Sequence, residues 1–344
     1  MDFKNKFLIF ILFIFLSCSA QESHRVDFAL GTLCTVRLYD QGRSSIHNDI
    51  FFRIREIENL MSLNISSSDI YRINSAAGIN PVQVSEDTFY VIKRSLYFAD
   101  LSGGAFDPTV GPIVSLWDIG GLNQRVPVPE EIKALLPLVN WRNVELDDLR
   151  CTVFLKYPGM MLDLGAIAKG YAADEAVKII KKSGLNRALI DLGGDVITFG
   201  DRPDRSPWRI GIQNPLKERG EALGFLQVIG KTVVTSGIYE RFFEENGIHY
   251  HHIFSPSLSF GDNPGYPVQN ELLSVSLITD ISMDADALST AIFVMGYDRG
   301  MRLLKSLPEV DAIFIFKDQS IVVTPGLDFR LLDTNFRIEF ITTE

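Results

Sequence analysis

Residues 166–184 read AIAKGYAADEAVKIIKKSG, and residues 187–200 read RALIDLGGDVITFG. The first stretch predicts a helix from Ala166 to Lys182, ended by Gly184, which can take the left-handed conformation that closes helices. The second predicts strands, and strand-like sequence continues to Phe254 through Trp208-Arg209-Ile210-Gly211-Ile212 and Lys231 to Thr235. Toward the N-terminus, Val26 to Tyr39 alternates as strands do, and Ile50, Ile54, Ile57 and Met61 recur at helical spacing. Ser85, followed by Glu86 and Asp87, caps a helix predicted to run to Leu101, with Gly103-Gly104 as its stop. A short Pro-started helix covers Pro127 to Leu136. Helix returns at Asp286 to Met295 and Arg302 to Leu307, with strands from there to the end. Helices and strands are interleaved without strict alternation or repeat, so the fold class is α+β.

The chain has 344 residues, with 33 Lys and Arg against 43 Asp and Glu, a net charge of −10 and a mean hydropathy of +0.12. With an acidic balance and no block of basic residues, no nucleic-acid partner is expected. The positive hydropathy has a local source. Phe7 to Leu16 reads FLIFILFIFL, after Lys4 and Lys6 and before Ser17-Cys18. That is a basic n-region, an apolar run too short to span a bilayer well, and a small residue before cysteine. It predicts a lipoprotein signal at 1–18, lipidation of Cys18, a tether at 19–25 and a globular domain at 26–344. An uncleaved N-terminal anchor is the other reading, and Phe15 departs from the usual leucine of such signals. Either way the bulk of the chain is expected outside the cytoplasm, held to a bacterial membrane surface by a lipid anchor, on the periplasmic side of the inner membrane. Cys34 and Cys151 then remain, and no disulfide between them is expected.

No phosphate-binding Gly-Lys-Ser/Thr loop, metalloprotease histidine pair or Gly-x-Ser-x-Gly elbow occurs. Small-residue loops carrying one or two acids stand out instead, at 103–108, 162–166, 190–195 and 283–287. Asp286 and Thr290 are four apart, so on a helix they share a face. A carboxylate with a hydroxyl offers hard oxygens, which suit Mg²⁺ better than zinc. Asp284-Ala285-Asp286 at a helix start also reads as simple capping. Lys169, alone among Gly and Ala, is either a contact for a phosphate or flavin oxygen or a side chain that reaches to solvent.

These loops, in this order, resemble the ApbE family of FAD:protein FMN transferases. The specific pieces are Gly103-Gly104-Ala105-Phe106-Asp107-Pro108-Thr109-Val110-Gly111-Pro112, Leu162-Asp163-Leu164-Gly165-Ala166-Ile167-Ala168-Lys169-Gly170, Leu192-Gly193-Gly194-Asp195, Thr235-Ser236-Gly237 and Ala285-Asp286-Ala287-Leu288-Ser289-Thr290. The resemblance implies a two-lobed domain with FAD in the cleft. It also implies Mg²⁺-dependent transfer of FMN from FAD to a Thr or Ser hydroxyl of a partner flavoprotein, such as a subunit of a membrane redox complex, with release of AMP. It places FAD contacts at Leu30, Ala105, Phe106, Asp107, Asp163, Lys169 and Ile253, and metal ligands at the Ala166 carbonyl, Asp286 and Thr290. His252 matches a family histidine and is a candidate general base. His251 and His252 would face opposite ways on a strand, so one of them can face the cleft.

Two positions depart from the family. Asn64 stands where a tyrosine usually stacks on the FAD, which implies looser flavin and competing hydrolysis of FAD to FMN and AMP. Ser255 stands where the family usually has aspartate, ahead of an insertion-like Phe260 to Gly265. Two alternatives therefore stay open beside transfer: a periplasmic FAD pyrophosphatase, and a non-catalytic FAD-binding lipoprotein.

Overall fold

The computed structural model describes residues 23–40 and 44–340. The expected signal peptide, Cys18 and tether residues 19–22 lie outside the described residues. The remaining tether residues are part of the fold. The first strand, Ser23–Ala29, starts at Ser23, where the Ser23 hydroxyl meets His47 Nε2 at 2.9 Å and Arg25 bonds Asn48 at 2.7 Å. No helix among the described residues is long and apolar enough to cross a membrane.

One nine-stranded sheet organises the molecule. Its order is Ser23–Ala29, Thr32–Leu38, Ala188–Leu192, Asp195–Phe199, Thr232–Gly237, Leu272–Thr279, Asp311–Phe316, Ser320–Val323 and Arg337–Phe340. Only the last pair is parallel. Both faces of its middle are covered, so Leu272–Thr279 is buried at every position rather than at alternate ones. Val234, Leu277 and Phe314 point to a large core beneath helices Ser44–Met61, Ala168–Lys182 and Ser282–Met295. Their neighbours Val233, Ile278, Ile313 and Ile315 point the other way, onto a three-stranded sheet of Trp208–Gln213, Ala222–Val228 and Phe329–Leu331. A third cluster centres on Trp117, Ile113, Ile132 and Phe254, and Trp117 Nε1 donates to the Gly265 carbonyl at 2.8 Å.

The predicted periodicities map onto real faces. Ile50, Ile54 and Ile57 are fully buried along Ser44–Met61, each contributing roughly 1.5–3 kcal/mol. Ser85 does cap Glu86–Leu101, its hydroxyl accepting from the Thr88 N–H at 3.2 Å. Other boundaries moved. The Pro-started helix begins at the second proline, as Pro129–Leu135, and the last helix is Tyr297–Leu304 rather than 302–307. Short helices Asp69–Ser75 and Gly111–Trp117 are additional. Ser282–Met295 starts four residues before Asp286 because its cap is not local. Asp174, on the neighbouring helix, accepts from the Ser282 and Met283 N–H groups at 2.9 Å each. Asp284 is not the cap either, since it forms a two-pronged ion pair with Arg94 at 3.0 and 2.6 Å.

Candidate functional site

Gly170 brings the two helices that make the site together. A Cβ there would lie 2.3 Å from the Ser282 carbonyl oxygen, so only glycine permits this approach. One consequence is that Lys169 Nζ sits between two carboxylates. It lies 3.2 Å from Asp286 Oδ1 and directly against Asp195 Oδ2. Asp195 arrives from the hairpin whose Gly193-Gly194 turn has positive φ at both residues. Burial alone would depress the Lys169 ammonium, but the two carboxylates reverse this and hold it above its usual pKa. Burial pushes Asp195 up, against the pull of Lys169. The three groups form one ionic unit, with both carboxylates buried and the lysine half-buried.

The other Asp286 oxygen, Oδ2, accepts the Gly170 N–H at 3.0 Å. In an undisturbed helix that N–H would bond the Ala166 carbonyl. The helix instead begins at Ala168, two residues later than predicted, and no backbone N–H among the described residues donates to Ala166. One turn beyond Asp286, the Thr290 hydroxyl lies 3.2 Å from Ser236 Oγ, which also contacts Ser289 Oγ at 2.8 Å. No cluster of three His, Cys, Asp or Glu side chains capable of holding a metal occurs among the described residues. The site nevertheless fits Mg²⁺. An undonated carbonyl, one carboxylate and one hydroxyl are hard oxygens, and this ion habitually completes its shell with water and ligand phosphate.

The loops at 103–112 and 162–170 are stitched together beside it. The Asp163 N–H donates to the Pro108 carbonyl at 2.8 Å, and Val110 bridges to Met161. Asp163 Oδ1 accepts the Gly165 N–H at 2.8 Å; burial raises the carboxyl's pKa, and Arg241 opposes the rise. Asp107 Oδ1 takes the Thr109 N–H and hydroxyl at 2.8 and 2.6 Å, and Oδ2 takes the Trp141 N–H at 3.2 Å. Leu30 occupies the left-handed region at φ 53° in the tight Leu30-Gly31 turn, with its N–H on Glu58 Oε1 at 2.8 Å. A β-turn of this type usually uses Asn or Gly, so leucine carries local strain.

Of the expected FAD contacts, Ala105, Phe106 and Ile253 are buried in the main core, because the apolar interior claims their side chains. Asn64 is exposed, and its side chain makes no hydrogen bond to the cluster among the described residues; its N–H donates to Ser62 Oγ at 3.1 Å.

The adjacent histidines separate cleanly. His251 is buried and fully used: Nε2 donates to the Val268 carbonyl at 3.0 Å and Nδ1 accepts the Ile253 N–H at 3.3 Å. Half-buried His252 places Nδ1 3.2 Å from the Arg241 carbonyl, which can only accept, so Nδ1 carries the proton and Nε2 is a free acceptor. Burial and the Arg241 charge push this imidazole down to about 4, keeping it neutral at physiological pH. Ser255 is buried, and its hydroxyl lies 3.1 Å from the Ser257 and 3.2 Å from the Phe260 carbonyl. It closes its own loop.

Comparison with known proteins identifies the family of this fold. The ApbE family model matches residues 30–314. The chain belongs to the ApbE family. It is 37% identical to the FAD:protein FMN transferase of Treponema pallidum (strain Nichols), over 93% of this chain and 92% of that one. The transferase of the same name from Klebsiella pneumoniae (strain 342) is 37% identical over 90% and 94%. The crystal structure of the Thermotoga maritima ApbE protein superimposes with a TM-score of 0.80 at 34% identity, covering 88% of this chain and 96% of that one. The Vibrio cholerae flavin transferase ApbE gives 0.77 at 27%, covering 92% and 98%. Within this ApbE chain, Asp195, Ser236 and Arg241 join the site without having been assigned to it from sequence. Asp195 and Ser236 lie in the quoted motifs, but nothing in their spacing says they meet Lys169 and Thr290.

Proposed function

We propose that this chain is a FAD:protein FMN transferase. It moves FMN from FAD to a Thr or Ser hydroxyl of a partner flavoprotein, releases AMP and depends on Mg²⁺. The observation that carries the reading is the oxygen set of the Ala166 carbonyl, Asp286 and Thr290 beside the Lys169 ion unit. The name FAD:protein FMN transferase, carried by the relatives at 37% identity, supports the transfer of FMN from FAD to a protein. When bound, Mg²⁺ would neutralise charge on the phosphates of the substrate. The protein's own part is acid–base and positional. His252 Nε2 takes the proton from the acceptor hydroxyl as its oxygen bonds the phosphorus of the FMN half. The bond from that phosphorus to the AMP oxygen breaks, and AMP leaves. The Lys169 ammonium fixes Asp286, and the Gly170 N–H holds the second carboxylate oxygen.

Water in place of the acceptor would give FMN and AMP. The exposed Asn64, with no ring to stack on flavin or exclude water, favours some of this hydrolysis. A mainly hydrolytic enzyme is the second reading. The proposed acceptors are subunits of membrane redox complexes, met on the periplasmic side by a protein anchored through lipidated Cys18. Detection of covalent flavin on a Ser/Thr-bearing acceptor in a denaturing gel tests transfer, and loss of acyl label in Cys18→Ser tests the anchor. FMN and AMP production without any adduct would favour the hydrolase.

A further inference from the structure

The cleft is rich in acid. Asp195 and Asp286 both engage Lys169, and Asp107 and Asp163 lie on the two loops stitched together beside them. A dinucleotide brings two more negative charges on its diphosphate, so a free cation is needed where it enters. Arg241 supplies one. Its carbonyl is pinned by the His252 N–H at 3.1 Å and by His252 Nδ1 at 3.2 Å, which fixes its backbone beside the candidate base. Its guanidinium makes no hydrogen bond or ion pair to any described residue. Nη2 lies 3.8 Å from where a Cβ on Gly31 would stand, and the charge is felt at both Asp163 and His252. The group thus sits among the Leu30-Gly31 turn, Asp163 and His252, exposed and without a partner.

We propose that Arg241 is the phosphate-receiving group of this cleft, a positioning residue that takes the diphosphate of FAD in a two-pronged contact. The planar guanidinium matches paired phosphate oxygens better than an ammonium does. The His252 bonds to the Arg241 carbonyl hold the two backbones together, so the guanidinium is anchored next to the candidate base. This inference rests on the flavin reading above and adds the residue that discriminates phosphate-bearing flavins from riboflavin.

The test is equilibrium flavin-fluorescence titration of the purified protein with FAD and with riboflavin, in wild type, Arg241→Gln and Arg241→Lys, at low and high salt. Arg241→Gln should weaken FAD binding by about 10- to 100-fold, leave riboflavin binding unchanged and flatten the salt dependence. Arg241→Lys should recover part of the loss. Unchanged melting temperatures would show that the exposed side chain is not needed for folding. Equal losses for FAD and riboflavin, or no loss for either, would overturn the proposal. A wild type that binds FAD no better than riboflavin would overturn the flavin reading itself, and this inference with it.

Discussion

The Gly170 N–H donates to Asp286 Oδ2 at 3.0 Å, across two helices, instead of to Ala166 four residues back. That one diverted bond orients a carboxylate and frees a carbonyl at once. Both are hard oxygens of the kind that Mg²⁺ takes. Replacing Asp286 by Asn keeps size and one acceptor but removes the charge. Flavin transfer should fall about 10²- to 10³-fold, and the Mg²⁺ concentration for half-maximal rate should rise. Steady-state rates across a Mg²⁺ titration check this; an unchanged Mg²⁺ dependence would remove Asp286 from the metal site.

Lys169 should matter for stability as well as activity. In Lys169→Met, Asp195 and Asp286 would face each other without their shared counterion. Breaking such a unit costs about 3 kcal/mol at a partly exposed site. Magnesium should then stabilise the variant more than the wild type, because it would replace the missing charge. Thermal melts with and without Mg²⁺ read this directly. Equal magnesium shifts in both proteins would contradict it.

The two histidines predict different phenotypes. His252→Gln should lower the transfer rate about 10²- to 10⁴-fold with little change in melting temperature. His251→Gln should chiefly lower the melting temperature, since its ring bonds Val268 and Ile253 inside the core. The folded-state pKa of each is lowered, to about 3 for His251 and about 4 for His252. The unfolded chain therefore binds more protons below its ordinary value near 6.5. The contribution is full above that value and is lost as pH falls toward 4. Melting temperature should drop between pH 7 and pH 5, by less in His251→Gln, and the acid limb of activity should lie near pH 4.

Asn64 sets the balance between transfer and hydrolysis in this account. Asn64→Tyr should tighten FAD binding and lower AMP release in the absence of acceptor. An aromatic face offers about 1–3 kcal/mol per stacked base. Chromatographic measurement of AMP from FAD and Mg²⁺ decides it; unchanged hydrolysis in the tyrosine variant would assign the water reaction to another cause.

Local signals were legible in the sequence, and contacts between distant residues were not. The Ile50, Ile54, Ile57 spacing and the Ser85 cap are written within a few residues of each other, and both appear as read. The α+β class followed from such segments. The start of Ser282–Met295 was misplaced because its cap, Asp174, lies on another helix. For the same reason Asp195 could be quoted in a motif yet not assigned to Lys169, twenty-six positions away. Ile253 sat next to a matched histidine, and only the packed core shows that its side chain points inward.

The most direct test of the central claim is covalent flavin on an acceptor. Purified protein, FAD, Mg²⁺ and a Ser/Thr-bearing acceptor flavoprotein domain are incubated, and flavin fluorescence is read on a denaturing gel. Wild type should give an acceptor band that is lost on chelation of Mg²⁺ and strongly reduced in Asp286→Asn. An acceptor band of equal strength with Asp286→Asn or after chelation would contradict it.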